Sequence, residues 1–309
     1  MTYAIETQGL GKTYGNLSAV SELTLKVKEG EIYAFLGLNG AGKTTTIRML
    51  LGMIHPTAGI ATMLGKQIKL GNTEPWASVG YLVETTHAYP ELTVAENLEV
   101  ARRLHPGVDK AAIRNVVDLL SLGEYTNRKT GTLSLGNAQR LGLAKAFLHK
   151  PSVLILDEPA NGLDPAGIVE VREILRQFAS EDGVTIFMSS HILGEVSRLA
   201  DRVGIIQQGK LIQELDLDSL EKNRKRSLKI QVQDIENSVA VLHEAGFNVN
   251  KMPHDWLSLH DALSVEHPET ITVLLVNAGL PPLQIIVNEE DLEDYFLRLV
   301  SLSKGGGND

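Results

Sequence analysis

A glycine-rich segment between an apolar run and a helix-like run constrains the fold of this chain more than any other feature. Residues 37–44 read GLNGAGKT, which has the spacing G-x-x-x-x-G-K-[ST]. The apolar run IYAFL (32–36) comes directly before it, and TTIRMLLGM (45–53) follows. A strand, a loop of this kind and a helix in succession predict a phosphate-binding loop in an α/β sheet. A chance glycine-rich turn would not require these two neighbours.

The residues of this loop suggest how a nucleotide would bind. Glycines let the backbone curl, so that consecutive N–H groups and the helix N-terminus point at phosphate oxygens. Lys43 is expected to reach the β- and γ-phosphates, and the Thr44 hydroxyl to ligate Mg²⁺. We expect the whole loop to contact the nucleotide, through Gly37, Asn39, Gly40, Gly42, Lys43, Thr44 and Thr45. Alone, the motif indicates only a nucleotide, because GTPases and kinases share it.

An acidic pair follows a second buried strand. Residues 153–158 read VLILDE, four apolar residues and then two carboxylates. Ligands bind at the carboxyl ends of the strands in such sheets. Asp157 is expected to hold Mg²⁺ through water, and Glu158 to act as the general base on the attacking water. The acidic pair could instead cap a helix, but Pro159 follows directly and weakens that interpretation.

The hydrophobic pattern predicts two domains. Apolar runs at 5–10, 23–27, 184–188 and 203–206 read as strands, and residues 92–150 read as mostly helical. Strands that alternate with helices predict a mostly parallel α/β sheet. After residue 215 the order becomes β-α-β-β-α-β, which favours a small ferredoxin-like α+β domain. Its predicted elements are a strand at 228–232, a helix at 235–245, strands at 247–249 and 256–259, a helix at 271–278 and a strand at 283–287.

The remaining C-terminal segments have no motif. The charged stretch 216–226 reads as a linker or a solvated helix. Residues 289–302 predict a closing helix, and the tail 303–309 is expected to be disordered.

Composition excludes several classes of site. The 309 residues carry a formal net charge of -9, which argues against a nucleic-acid partner. There is no cysteine, so disulfides, thiolate zinc sites and cysteine nucleophiles are excluded. No apolar run approaches the roughly 18 residues of a membrane span, and the first residues have no secretory-signal pattern. Any membrane role is therefore expected to come through a partner.

The segment 133–140, LSLGNAQR, lies between the phosphate loop and the acidic strand. It resembles the signature LSGGQxQR of ATP-binding-cassette (ABC) nucleotide-binding domains. Leu135 and Asn137 depart from the family's glycine and glutamine. The matching residues are Ser134, Gly136, Gln139 and Arg140. The resemblance implies that the helix beginning here presents its N-terminus, with Ser134 and Gly136, to the γ-phosphate bound by an opposite subunit. By itself, Ser134 would be an ordinary helix cap.

Three further segments match the same family. Residues 161–165, NGLDP, are similar to its D-loop, which implies that Asp164 contacts the partner subunit near the nucleotide. His191 in SSH matches the switch histidine that touches the γ-phosphate, although a lone histidine is more often structural. Tyr14 in KTYG matches the aromatic residue that stacks on adenine, although a lone tyrosine is more often a surface residue.

One position departs from the family. Glu84, in GYLVETT, stands where most of these proteins have a glutamine that ligates Mg²⁺. A carboxylate can serve as a Mg²⁺ ligand too. Glutamate here, with leucine in the signature, resembles the subset of exporters linked to bacitracin- and lantibiotic-type peptide resistance.

The resemblance covers about residues 3–215. It implies an α/β P-loop ABC ATPase domain at 1–215, with a helical subdomain at about 85–150. Residues 216–309 lie outside the resemblance, and their pattern predicts a small C-terminal α+β accessory domain. The expected function is that of an ATP-binding and hydrolysing subunit with Mg²⁺ as cofactor. Two copies would clamp ATP as a homodimer on the cytoplasmic face of the cell membrane. They would power a separate permease, docked near 84–93, that exports a peptide antibiotic or another amphiphile.

Two alternatives remain open at the level of sequence. A soluble ABC ATPase outside transport would be favoured by fused cassettes, a coiled-coil insert or a basic arm, none of which the sequence contains. A slowly hydrolysing, nucleotide-gated module with a ligand-sensing C-terminal domain is compatible with the altered signature.

Overall fold

The chain folds as two compact units, Met1–Leu217 and Asp218–Asp309. The computed structural model describes residues 2–71, 74–84, 87–216, 219, 224–253, 255–290, 294–296 and 298–299. The predicted linker at 216–226, closing helix at 289–302 and tail at 303–309 lie wholly or partly outside the described residues, as does part of the predicted docking segment 84–93. Each unit has its own core.

The first unit contains a four-stranded antiparallel sheet in the order β2-β1-β4-β5. Its strands are β1 (Tyr3–Tyr14), β2 (Leu17–Lys28), β4 (Ala58–Met63) and β5 (Lys66–Gln67). Apolar and polar residues alternate along β2, which indicates one buried face and one exposed face.

A six-stranded sheet in the order β10-β9-β3-β8-β7-β6 completes the first unit. All its neighbouring strands run parallel except β10, which pairs antiparallel with β9. The carboxyl ends of β3, β7 and β8 therefore lie side by side, and the loops after them carry the predicted site. The strands are β3 (Ile32–Leu36), β6 (Val79–Leu82), β7 (Val153–Asp157), β8 (Thr185–Ser190), β9 (Arg202–Gln207) and β10 (Lys210–Asp216).

Helix α1 (Lys43–Leu50) begins inside the phosphate loop, and its Ile47, Met49 and Leu50 are buried in a core shared by both sheets. The aromatic part of that core includes the stacked pair Tyr33 and Phe187, whose ring centroids are 5.6 Å apart. This packing fixes α1, and with it the loop at its N-terminus.

Three other helices of this unit begin at a side-chain cap. Thr93 forms a capping box with Glu96 before α2, while Ser134 caps α4 and Asp164 caps α5. Within the predicted helical stretch 92–150 the structure has three α-helices, as expected. The helices are α2 (Val94–Arg103), α3 (Ala111–Leu119), α4 (Leu135–Phe147), α5 (Pro165–Ser180) and α6 (Leu193–Val196).

The second unit has a four-stranded antiparallel sheet in the order β12-β13-β11-β14. The order of elements is β-α-β-β-α-α-β, which is the predicted β-α-β-β-α-β succession with one additional short helix. Its elements are β11 (Arg226–Gln231), α7 (Ile235–Glu244), β12 (Val249–Met252), β13 (Trp256–Leu259), α8 (Ala262–Glu266), α9 (Pro268–Asn277) and β14 (Gln284–Glu289).

Several boundaries in this domain differ from the sequence prediction by one to three residues, and two of these differences have a clear physical reason. The strand predicted at 247–249 begins only at Val249, because Phe247 belongs to the end of α7: its N–H donates to the Leu242 carbonyl (2.9 Å), and Gly246 is left-handed. The helix predicted at 271–278 begins earlier, at Pro268, whose fixed φ suits the first turn. Sequence reasoning missed the short helix α8.

In the part of the chain that the structure describes, none of the helices combines the length and the apolar character needed to span a membrane.

Candidate active site

The phosphate loop is shaped by glycines that no other residue could replace without movement. Gly42 has φ of 108°, and a Cβ placed on it would lie 2.5 Å from the Ala19 carbonyl oxygen. A Cβ on Gly37 would lie 2.7 Å from the Ile206 carbonyl oxygen. These close approaches explain why the sequence has glycine at both positions.

Lys43 lies inside the loop and is only 6% exposed. Its ammonium group donates to the Gly37 carbonyl at 2.6 Å and lies 3.3 Å from the Glu158 carboxylate. The loop therefore already orders this cation at the carboxyl edge of the sheet.

The Asp157 carboxylate is held by two hydroxyl groups. Thr44 Oγ1 donates to its Oδ2 at 2.9 Å, and Ser189 Oγ donates to its Oδ1 at 2.5 Å. Asp157 and Ser189 are paired in the parallel register of β7 and β8. Two of the three predicted Mg²⁺ ligands, Thr44 and Asp157, thus lie in direct contact.

Glu158 lies between a lysine and a histidine. His191 Nδ1 is 2.8 Å from one carboxylate oxygen, and Lys43 Nζ is 3.3 Å from the other. The backbone of Glu158 has φ of 51°, and its N–H donates to Ser189 Oγ at 3.0 Å. The structure therefore brings the three residues predicted to be catalytic together.

The signature segment and the D-loop lie against each other. A Cβ on Gly136 would be 3.1 Å from the Gly162 carbonyl oxygen, and one on Gly162 would be 2.6 Å from Leu135 Cγ. Ser134 and Asp164 accept hydrogen bonds from the first turns of α4 and α5, so both act as helix caps here. Neither side chain joins the contacts made by Lys43, Thr44, Asp157, Glu158 and His191.

Glu84 has a different partner from the one expected. Its carboxylate accepts a hydrogen bond of 2.7 Å from Arg48, on the last turn of α1, and its backbone is left-handed with φ of 57°. In this structure the predicted metal ligand is thus paired with a cation. Sequence reasoning missed Arg48, although it lies four residues after Thr44 and so on the same face of α1.

Tyr14, the predicted adenine contact, lies at the end of β1 and is 46% exposed. The Lys12 ammonium lies 5.0 Å from the centre of its ring. The remaining loop residues differ in accessibility: Asn39 and Gly40 are exposed, and Thr45 is half-buried.

The oxygens at this edge suit Mg²⁺, which prefers hydroxyl, carboxylate and water ligands. Thr44 Oγ1 and Asp157 Oδ2 are adjacent, and Asp157 is almost fully buried. No cluster of three or more histidine, cysteine or acidic residues in the described ranges would hold a metal by itself. The donor set therefore fits a Mg²⁺ ion that shares its ligands with a phosphate.

A cleft of about 1180 Å³ opens beside the end of β6. His149 and His105 stack there with centroids 3.8 Å apart, and burial, followed by the neighbouring His105, lowers the pKa of His149 to about 4. Burial also lowers the pKa of Lys145. Residues of several elements line the cleft, among them Arg48, Trp76, Tyr81, Glu84, Lys145 and His149.

Besides Arg48, sequence reasoning missed the roles of Ser189 and Gln139. Ser189 lies near the end of an apolar strand that neighbours the acidic strand. Pairing the ends of these two strands could have predicted its contact with Asp157. Gln139 is a matched signature position, but nothing in the sequence shows that it reaches Glu158.

Together, the fold and this group of residues define a P-loop nucleotide-binding ATPase. Residues 20–161 match the family model described as ABC transporter. The chain is 42% identical to the bacitracin transport ATP-binding protein BcrA of Bacillus licheniformis, over 99% of both chains. It is 38% identical to the lantibiotic transport ATP-binding protein SrtF of Streptococcus pyogenes, over 70% of this chain and 93% of that protein.

A solved structure described as the ATP-binding subunit of an ABC transporter has a TM-score of 0.66 and 29% identity, over 72% of this chain and 92% of that one. The chain therefore belongs to the ABC transporter ATP-binding proteins. It has an ATP-binding cassette, as the sequence predicts, and is an ATPase of that family.

Proposed function

We propose that this protein is the ATP-hydrolysing subunit of an exporter for a peptide antibiotic or another amphiphile. Similarity over nearly the whole chain to a bacitracin transport protein is the observation that carries this proposal. The lantibiotic transport relative supports the same substrate class.

In the proposed reaction, water attacks the γ-phosphorus of ATP and the protein supplies position and charge. Glu158 is the general base, and Lys43 and His191 stabilise charge on the γ-phosphate. Thr44, Asp157 and Glu84 would hold Mg²⁺, which screens the phosphate charges when it is bound. Tyr14 stacks on the adenine, and the glycines, Asn39 and Thr45 complete the binding loop.

We propose a homodimer with two composite sites, because one chain has one phosphate loop and one signature. Ser134 and Asp164 are exposed at the N-termini of α4 and α5, where they are free to meet a second copy. Gly136 would bring the backbone of α4 close to a phosphate held by that copy.

The proposed partner is a separate permease on the cytoplasmic face of the cell membrane. Its docking surface would be the segment 84–93 and the cleft beside β6. Tyr81 and Tyr89 are exposed there, as expected for a surface that binds another chain. Closure of the two cassettes would move the cleft, and this movement would be transmitted to the permease.

The chemistry is tested with Glu158→Gln in the purified full chain. The variant should keep ATP binding and lose at least about 100-fold in kcat, since removing a general base costs this much. Glu181→Gln, at the exposed end of α5, is the matched control and should retain wild-type turnover. Wild-type hydrolysis by Glu158→Gln would exclude Glu158 as the base.

The transport role is tested by purifying the tagged chain from native membranes in mild detergent, followed by mass spectrometry. A stoichiometric partner with several membrane spans would support the exporter proposal. A soluble complex, or no membrane partner, would contradict it and favour an ABC ATPase outside transport or a nucleotide-gated module.

A further inference from the structure

The backbone of Glu158 has a conformation that needs support. Its φ of 51° is left-handed, which costs a non-glycine residue about 1–2 kcal/mol. Such a conformation persists only where the surroundings fix it. The peptide groups of Glu158 are accordingly bonded on both sides.

Ser189 Oγ accepts from the Glu158 N–H at 3.0 Å. On the other side, Gln139 Nε2 donates to the Glu158 carbonyl at 3.1 Å and to the Pro159 carbonyl at 3.0 Å. Gln139 is only 5% exposed, so water cannot easily replace the amide. One buried side-chain amide thus ties together the two carbonyls that follow β7.

Gln139 belongs to α4, whose N-terminus is capped by Ser134 and rests against Gly162. Gln139 lies about one turn after Leu135, the first residue of α4, and the backbone hydrogen bonds of an α-helix join successive turns. A shift of the α4 N-terminus would therefore be transmitted through Gln139 to the backbone of Glu158. The carboxylate, 2.8 Å from His191 and 3.3 Å from Lys43, would move with it.

We propose that Gln139 is a positioning residue for Glu158, and that it links the signature helix to the base of the same chain. This inference rests on the proposed role of Glu158 as general base. Gln139 acts through the backbone of Glu158 and does not touch the reacting atoms.

The test uses two variants of similar volume in the purified full chain. Gln139→Met removes the donor, and Gln139→Glu replaces it with a group that repels both carbonyls. Each should lower kcat by about 10- to 100-fold, the range expected when a catalytic group is misplaced by about 1 Å. The KM for ATP should change by less than about threefold, because ATP-binding groups are untouched.

Gln177→Met is the control, because Gln177 is an exposed residue of α5 whose amide, among the described residues, bonds only Glu181. It should match the wild type in kcat. Circular dichroism and thermal unfolding show whether each variant is folded, and the inference is judged on whichever Gln139 variant is folded.

A double-mutant cycle separates positioning from general destabilisation. In the Glu158→Gln background, single-turnover hydrolysis should be unaffected by Gln139→Met, because the group that Gln139 positions is already gone. An equal loss in both backgrounds, or folded Gln139 variants with unchanged kcat, would overturn the inference. If Glu158→Gln itself kept wild-type turnover, the proposed base would fail instead.

Discussion

Arg48 on helix α1 donates a hydrogen bond of 2.7 Å to the carboxylate of Glu84, at the end of β6. The helix that begins in the phosphate loop is thereby joined to the residue that replaces the family's usual glutamine. Both side chains are partly exposed, so the pair contributes little stability, about 0–1 kcal/mol. If Glu84 ligates Mg²⁺ as proposed, Arg48 and the metal ion would compete for this one carboxylate.

This competition predicts opposite effects of two substitutions on the Mg²⁺ requirement. Arg48→Met frees the carboxylate and should lower the Mg²⁺ concentration that gives half-maximal ATPase activity. Glu84→Gln removes a charged ligand and should raise it by about threefold to tenfold, or about 1 kcal/mol. The measurement is a Mg²⁺ titration at fixed ATP. Identical titrations for all three proteins would mean that Glu84 is not a ligand.

The two hydrogen bonds of Ser189 predict that removing its hydroxyl lowers both stability and activity. Its hydroxyl bonds both Asp157 and the Glu158 N–H, and it is fully buried. Ser189→Ala leaves that N–H without a partner and should cost about 1–3 kcal/mol in unfolding free energy. We expect at least about a tenfold lower kcat, because the base is then less well placed.

The control for this prediction is the adjacent serine. Ser190 is also buried, but among the described residues its hydroxyl bonds only the backbone of Ile192: it donates to the carbonyl at 3.3 Å and accepts from the N–H at 3.0 Å. Ser190→Ala should retain kcat within about twofold. If the two variants lose activity equally, the Ser189 hydroxyl has no special role in placing the base.

The departure of Leu135 from the signature predicts a coupling with the D-loop. A Cβ on Gly162 would lie 2.6 Å from Leu135 Cγ, and Gly162 has φ of 79°. Gly162→Ala should therefore destabilise the protein by more than the roughly 1 kcal/mol of backbone strain alone. In a Leu135→Gly background only the strain should remain. Thermal unfolding of the wild type, the two single variants and the double variant measures the coupling. Strictly additive effects would show that the contact between Leu135 and residue 162 does not affect stability.

Much of the candidate site could be predicted from the sequence, because its motifs lie at the carboxyl ends of neighbouring strands. The parallel register of β7 and β8 places Asp157 beside Ser189, and that of β3 and β8 brings the loop after β8 to the phosphate loop. Once the strands are recognised, the meeting of Lys43, Glu158 and His191 is a consequence of sheet geometry. The roles of these residues in hydrolysis stay predictions.

Contacts that depend on helix rotation could not be predicted in this way. Gln139 reaches Glu158 only because α4 turns that face towards β7, and spacing along the chain does not specify this rotation. The pair Arg48 and Glu84 joins elements 36 residues apart. In the second domain, Phe247 looks like the start of a strand because it is apolar. Its N–H instead donates to the Leu242 carbonyl, in the turn that ends α7.

The stacked histidines of the cleft predict a pH-dependent stability. The folded pKa of His149 is about 4, below its ordinary value of 6.5, so the unfolded chain binds a proton that the folded chain does not. The contribution of His149 to the free energy of unfolding is therefore complete above pH 6.5 and is lost as the pH falls from 6.5 towards 4.

The measurement is the urea midpoint of unfolding at pH 7.5, 6.0 and 5.0. As the pH is lowered, this midpoint should fall less in His149→Gln than in the wild type. His105, whose pKa burial also lowers, leaves a residual slope, and exposed His55→Gln should follow the wild type. Parallel pH curves for His149→Gln and the wild type would show that the buried ring does not resist protonation.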